Sequence, residues 1–147
     1  MSEDLQAAEH MLGGAMEALT RSETGPWSEM FHEDGAMEFP FAPPGYPPRL
    51  DGKSAIADFI KGYPDHVNLK SMTFTGSYYS GNTLIIEMVG DATSLPAGND
   101  FTMKYVAVIT VRDGKFVLYK DYWDPLVGIK AMGGLEALEA LGAGGIA

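Results

Sequence analysis

From about residue 68 to residue 123 apolar side chains alternate with polar ones, and this change of period constrains the fold more than any other feature of the chain. Strands are expected at about 68–79, 83–93, 101–112 and 115–123. Between them lie the SGN turn at 80–82, the SLPAGND loop at 94–100 and the tight Asp113–Gly114 turn. Long strands joined by short turns predict an antiparallel, strongly curved meander.

The N-terminal part has a different period. Leu5, Ala8, Leu12, Ala15, Met16 and Leu19 recur at spacings of three and four, the apolar stripe of one helix. Gly13 and Gly14 interrupt it at about 1 kcal/mol each relative to alanine, which predicts either close packing there or a kink. After a turn at 22–25, Pro26 suits the first position of a short second helix, PWSEMF, burying Trp27, Met30 and Phe31. HEDG is read as closing that helix. Residues 36–41 are then a strand with Met37, Phe39 and Phe41 on one face and Glu38 on the other. APPGYPP is a stiff loop, either a pocket rim or a plain connector. Asp51 or Gly52 caps a third helix, KSAIADFIKGY, whose apolar face is Ile56, Phe59, Ile60 and Tyr63 and which Gly62 and Pro64 end. After the last strand, Asp124 is placed to cap a helix with Pro125 at its first position, and Gly133–Gly134 breaks it. LEALEAL aligns Leu135, Leu138 and Leu141, and the closing GAGGIA is expected to be mobile.

The chain of 147 residues fits one domain, 1–147, with its core at about 5–133. No apolar run approaches the roughly 18 residues of a membrane span. The acidic start MSEDLQAAEH lacks the pattern of a signal peptide, and without cysteine there is neither a disulfide framework nor a thiolate site. A cytoplasmic location fits these features. Ten Lys plus Arg against twenty Asp plus Glu give a net charge of −10, which repels phosphate backbones and anionic lipid heads. Neither nucleic acid nor membrane is an expected partner. The three scattered histidines form no ligand-spaced pair, so no metal is expected. No glycine-rich strand–helix motif suits a nucleotide, and no cofactor is implied.

The stretch YKDYWDPL carries the main chemical signal. Asp121 alternates with Tyr119 and Trp123, so the three share a strand face. A carboxylate turned inward among aromatics is either a structural acid satisfied by backbone amides or a general acid/base with a raised pKa. Tyr105 shares a face with Met103 and Ala107 on the neighbouring strand, where it either orients a substrate oxygen or fills the core. His66 and His32 are the other candidates to reach a pocket, against readings as a turn histidine and a helix-end histidine. Glu87 is read as pairing with Lys104 or Lys120 on the outer sheet face, and Glu38 as solvated or at an interface. The inferred lining is Trp27, Phe31, Phe39, Phe59, Tyr63, Phe74, Met88, Met103, Tyr119 and Trp123, which suits a hydrophobic, cyclic or aromatic guest.

MFHEDGAMEFPF, LDGKSAIADFI and VRDGKFVLYKDYWDPL resemble the SnoaL-like polyketide-cyclase branch of the nuclear transport factor 2-like superfamily and, more distantly, the phenazine-biosynthesis A/B proteins. The resemblance runs from about residue 5 to 133. It implies an α+β fold in which a cone-shaped, antiparallel or mixed curved sheet wraps around three N-terminal helices, a cystatin-like α+β barrel. It also implies a homodimer joined through the outer sheet face, with Val106, Val108, Lys120 and Tyr122 as contacts. Laid on the ketosteroid isomerase branch, the base position falls on Phe39, the oxyanion tyrosine on Ala15 and the second acid near Val106 or Ala107. None of these carries a proton, so the steroid-isomerase mechanism is excluded. In the SnoaL-like and phenazine proteins the acid/base carboxylate lies late in the last strand, before an aromatic-X-Asn/Asp-Pro turn, and that place matches Asp121. The histidine of the phenazine proteins falls on Leu69, with His66 three residues earlier. The resemblance therefore implies a cofactor-independent isomerase, cyclase, dehydratase or lyase, or a non-catalytic binding module of the same fold.

Overall fold

The computed structural model describes residues 2–142. Helix α1 (Ser2–Thr20) and the short α2 (Gly25–Glu29) lead into strand β1 (Phe31–Glu38). Strand β2 (Arg49–Asp51), helices α3 (Lys53–Lys61) and α4 (Tyr63–His66), and strands β3 (Val67–Ser80), β4 (Thr83–Ser94), β5 (Asp100–Arg112) and β6 (Lys115–Trp123) follow. Helices α5 (Pro125–Met132) and α6 (Leu135–Gly142) end the described chain. The six strands form one curled, unclosed sheet in the order β2-β1-β6-β5-β4-β3. The fold is α+β, and the meander of β3 to β6 is antiparallel as the short turns require. β1 joins the free edge of β6 in parallel, which makes the sheet mixed. Among the described residues no helix is long and apolar enough to cross a membrane.

The predicted stripe of α1 is buried from Leu5 to Leu19, with Leu12 fully enclosed. It belongs to one core cluster with Leu84, Ile86, Ile109 and Phe116 of the sheet, and among the strands it packs chiefly on β3 and β4. At the other end, Asp124 caps α5 by accepting from the Leu126 backbone N–H at 2.9 Å, with Pro125 in the first turn. Gly133 closes α5 in the left-handed region, φ 85°, where a side chain would be strained.

Several expectations are corrected. HEDG does not close the second helix: His32 to Gly35 belong to β1, whose register against β6 shifts between Phe31 and Ala36. Its backbone is held by pairing that no local pattern reveals, with Phe116 N–H donating to the Met30 carbonyl at 2.8 Å and Gly52 N–H to that of Gly35 at 2.7 Å. β1 ends at Glu38, so Phe41 does not share the buried side of Met37 and Phe39 and is 57% exposed. Three-residue β2 is too short to show a period. Pro64 does not follow the last helix of that region but sits in the first turn of α4. Of the two residues expected to cap α3, Gly52 is the one at the N-cap. Glu87 takes the Tyr78 hydroxyl at 2.8 Å, not a lysine, while Glu38 pairs with Arg49 at the surface.

The proline-rich loop folds back over the open end of the sheet, carrying Tyr46, which is 8% exposed. Helix α6 packs directly on it: a Cβ added to Gly142 would overlap the Tyr46 ring, and one added to Gly45 would overlap the Glu139 side chain. The side chains of Leu138 and Leu141, and the tail from residue 143, lie outside the described residues.

The glycine pair of α1 is not a packing device. A Cβ on Gly13 would meet only Phe74 Cε2, at 3.9 Å, and one on Gly14 would meet nothing within 4 Å. Gly14→Ala is therefore expected to stabilise the protein by about 1 kcal/mol, read as a higher urea midpoint with an unchanged slope.

Candidate functional site

The curl of the sheet leaves a cavity of about 110 Å³ between its concave face, the N-terminal helices and α5. The period-two pattern of β6 sends Tyr119, Asp121 and Trp123 to the same side, and all three border this cavity. Across the β5–β6 ladder, Ala107 is the partner of Asp121, and Tyr105 that of Trp123. Ala107 leaves room beside the carboxylate, and Tyr105 adds its ring to the wall. α2 contributes Trp27, β1 and its exit contribute Met37 and Phe39, and the helices before β3 contribute Phe59, Ile60 and Tyr63.

The aromatic side chains hold one another. Trp27 meets Tyr119 edge-on at 5.3 Å between centroids. Tyr46 is fixed by edge contacts at 5.3 Å to both Phe39 and Trp123. Such contacts are worth about 0.5–1.5 kcal/mol each beyond burial and leave the ring positions well defined.

Asp121 is the charged residue of this lining, and among the described residues no hydrogen bond or ion pair reaches it. It is half-buried, and its surface borders the cavity. Burial pushes its carboxyl pKa up to about 7. Four phenols, Tyr46, Tyr63, Tyr105 and Tyr119, lie near enough to feel its charge. All four have raised pKa values, first through burial; Asp121 is the next cause for Tyr46, Tyr63 and Tyr119, whereas at Tyr105 Tyr63 comes before Asp121. The phenols therefore stay protonated across the physiological range and remain hydrogen-bond donors. Asp121 is the group here that exchanges a proton near neutrality. Trp27 Nε1, also buried, has no hydrogen-bond acceptor among the described residues.

Of the residues singled out from sequence, Asp121, Tyr105, Trp27, Phe39, Phe59, Tyr63, Met88, Met103, Tyr119 and Trp123 meet around this one cavity. Four do not. His66 is buried at the end of α4 but does not border the cavity, and Leu69, the position that corresponds to the phenazine-protein histidine, does. His32 lies near the distant start of β1, where its Nε2 donates to the Arg112 carbonyl at 2.9 Å. Phe31 is packed edge-on against Phe116 at 5.5 Å, behind the wall. Phe74 faces a separate groove outside α1. Tyr46 was not anticipated, because a proline-rich loop has no period to say which way a side chain points. Among the described residues no group of three His, Asp or Glu side chains is placed to hold a metal.

The profile of the SnoaL-like domain family matches residues 14–119. The uncharacterized protein YesE of Bacillus subtilis is 44% identical over 110 residues, covering 74% of this chain and 75% of its own length. An uncharacterized PhzA/B-like protein of Pseudomonas aeruginosa is 32% identical over 132 residues, covering 88% and 93%. The crystal structure of a candidate isomerase from Bacillus subtilis superposes with a TM-score of 0.86 at 37% identity, covering 90% of this chain and 96% of that one.

Proposed function

Because the chain belongs to the SnoaL-like domain family, we propose that its cavity binds a small hydrophobic, ring-containing molecule and that Asp121 moves a proton on it. The observation that carries this reading is a carboxylate with no hydrogen-bond or ion-pair partner among the described residues, its pKa raised by burial to about 7, in an apolar chamber with four phenols around it. As a carboxylate it would accept a proton from carbon or oxygen, while a neighbouring phenol donates to the oxygen that gains charge. As an acid it would return the proton at a second atom. Isomerisation, cyclisation, dehydration and lyase chemistry all use this pair of steps, and none needs a cofactor. The apolar walls strengthen both interactions by excluding water.

The test does not require the natural substrate. The protein is incubated in D2O with a panel of cyclic ketones and enones, and deuterium at the carbon next to the carbonyl is followed by NMR. Exchange is expected to rise with pH along a single limb centred near 7, because the carboxylate is the active form of the base. No exchange with any member, together with an Asp121 carboxyl that titrates at or below about 4, would sink the proposal.

A binding module without chemistry is the second reading, favoured by the absence of any described hydrogen bond that orients Asp121. We also propose a homodimer through the outer sheet face. There Phe41 and Tyr122 stand edge-on at 5.3 Å, with half-buried Val106 beside them and Leu126, 75% exposed, at the start of α5.

A further inference from the structure

The cavity has a thin wall. Met16 of α1 and Met72 of β3 border it on one side, and on the other side they border a surface groove of about 640 Å³ between α1 and β3. They are the residues common to both linings. An unbranched thioether with three rotatable bonds swings aside more readily than any branched or aromatic neighbour. Gly90 gives Met72 its place: a Cβ there would come within 3.0 Å of Met72 Cε and 3.2 Å of its sulfur.

Size argues that this wall opens. A cavity of about 110 Å³ is smaller than the roughly 150 Å³ apolar cavity that accommodates benzene, so the inner chamber as it stands has room for one small ring at most. The groove is kept open by Gly13 and Gly14, which no side chain packs tightly against and which weaken the helix that carries them. Charge narrows the guest further. Among the described residues the inner lining has no Lys, Arg or His, and the titratable residues of the groove are Glu9, His10, Glu17 and Tyr79. Both Glu9 oxygens already accept hydroxyls, from Ser77 at 2.9 Å and Tyr79 at 2.7 Å. Among the described residues that line this path there is no Lys or Arg to receive a carboxylate or phosphate.

We propose that the α1–β3 groove is the outer half of the ligand site and that Met16 and Met72 are the gate between the halves. The guest is then a single ring seated over Asp121 with an extended arm, uncharged or cationic, lying along α1. This rests on the reading of the cavity as the ligand site, and the experiment separates the two.

Phenol, 4-propylphenol and 4-heptylphenol, with the ω-amino and ω-carboxylate forms of the last, are titrated against the protein. Quenching of Trp27 and Trp123 and the methyl NMR signals of Met16 and Met72 report binding. At about two- to fourfold per buried methylene, 4-heptylphenol is expected to bind at least about 100-fold more tightly than phenol. The Met16 and Met72 methyl signals shift with the long chain, and the ω-carboxylate binds at least about tenfold more weakly than the ω-amine. Gly13→Leu, which strengthens the helix while filling the groove, is expected to reduce the heptyl-to-phenol ratio to below about tenfold. Met72→Ala is expected to speed association of 4-heptylphenol by at least about tenfold. A wild-type protein that binds phenol with no gain from the chain, or a chain-length gain that survives Gly13→Leu, overturns the groove. Failure of phenol itself to bind overturns the cavity reading and the groove with it.

Discussion

Asp121→Asn is expected to stabilise the fold at pH 8 by about 4 kcal/mol and, on the proposed chemistry, to lower turnover by about 10² to 10⁴. The stability half follows from linkage. Burial raises the Asp121 carboxyl from the ordinary aspartate value of 3.8 to about 7, so between those values the folded state binds a proton that the unfolded state has released. Stability therefore falls as pH rises through this window, and the cost is fully present above about 7. Asparagine keeps the shape and the polarity of the neutral acid but never ionises. The variant and the parent should be equally stable below about pH 4 and diverge steadily up to about 7. Urea denaturation of both proteins at several pH values reads this directly. A variant no more stable than the parent at pH 8 would mean that the carboxylate is satisfied in the folded state, and would remove the basis for the base. Stability given up at one residue, in a chamber with no ion-pair partner for it among the described residues, is the trade expected of a group kept for proton transfer.

How much of this was legible without coordinates depends on where the ordering forces lie. β3 to β6 announced themselves because each strand buries alternate residues against one core, so the period is written locally. β6 was read from Lys115 to Trp123, the bounds it has. The same alternation turned Asp121 toward Tyr119 and Trp123, and the two lie with it on the cavity wall. β1 was misread at its start because Phe31 and Ala36 pair with Phe116 and Leu118 of β6, some eighty residues away in sequence, and His32 to Gly35 span the register shift between those two pairs. Polar residues followed by glycine look like a turn to any local rule. Tyr46 escaped for a related reason: its ring is fixed by Phe39, Phe59 and Trp123, which come from three different parts of the chain. The histidines were over-read because residue type was the one thing known about them. A titratable ring near the right strand is not at the site unless the backbone points it there.

Gly35→Ala is expected to cost about 2 to 3 kcal/mol, although alanine is the smallest change available. The reason is space, not backbone freedom, since Gly35 is not among the residues with positive φ. A Cβ at this position would lie 2.9 Å from the Phe116 carbonyl oxygen, 3.0 Å from that of His32 and 3.2 Å from Phe31 Cδ2. Two of these neighbours are backbone and cannot turn aside, and the third belongs to a ring that is 1% exposed. Relief requires β1 to move away from β6, yet the next residues must keep Ala36 opposite Leu118, Met37 opposite Tyr119 and Glu38 opposite Lys120. Those pairs place Met37 on the same cavity wall as Tyr119 and Asp121. Overpacking against fixed atoms typically costs 1 to 3 kcal/mol, and the buried ring puts this site at the upper end. With a urea slope of about 2 kcal/mol per molar, the midpoint should fall by about 1 to 1.5 M at unchanged slope. An unmoved midpoint would show that β1 slides on β6 without penalty, and the β1 side of the cavity would then lack the rigidity that orienting a ring over Asp121 demands.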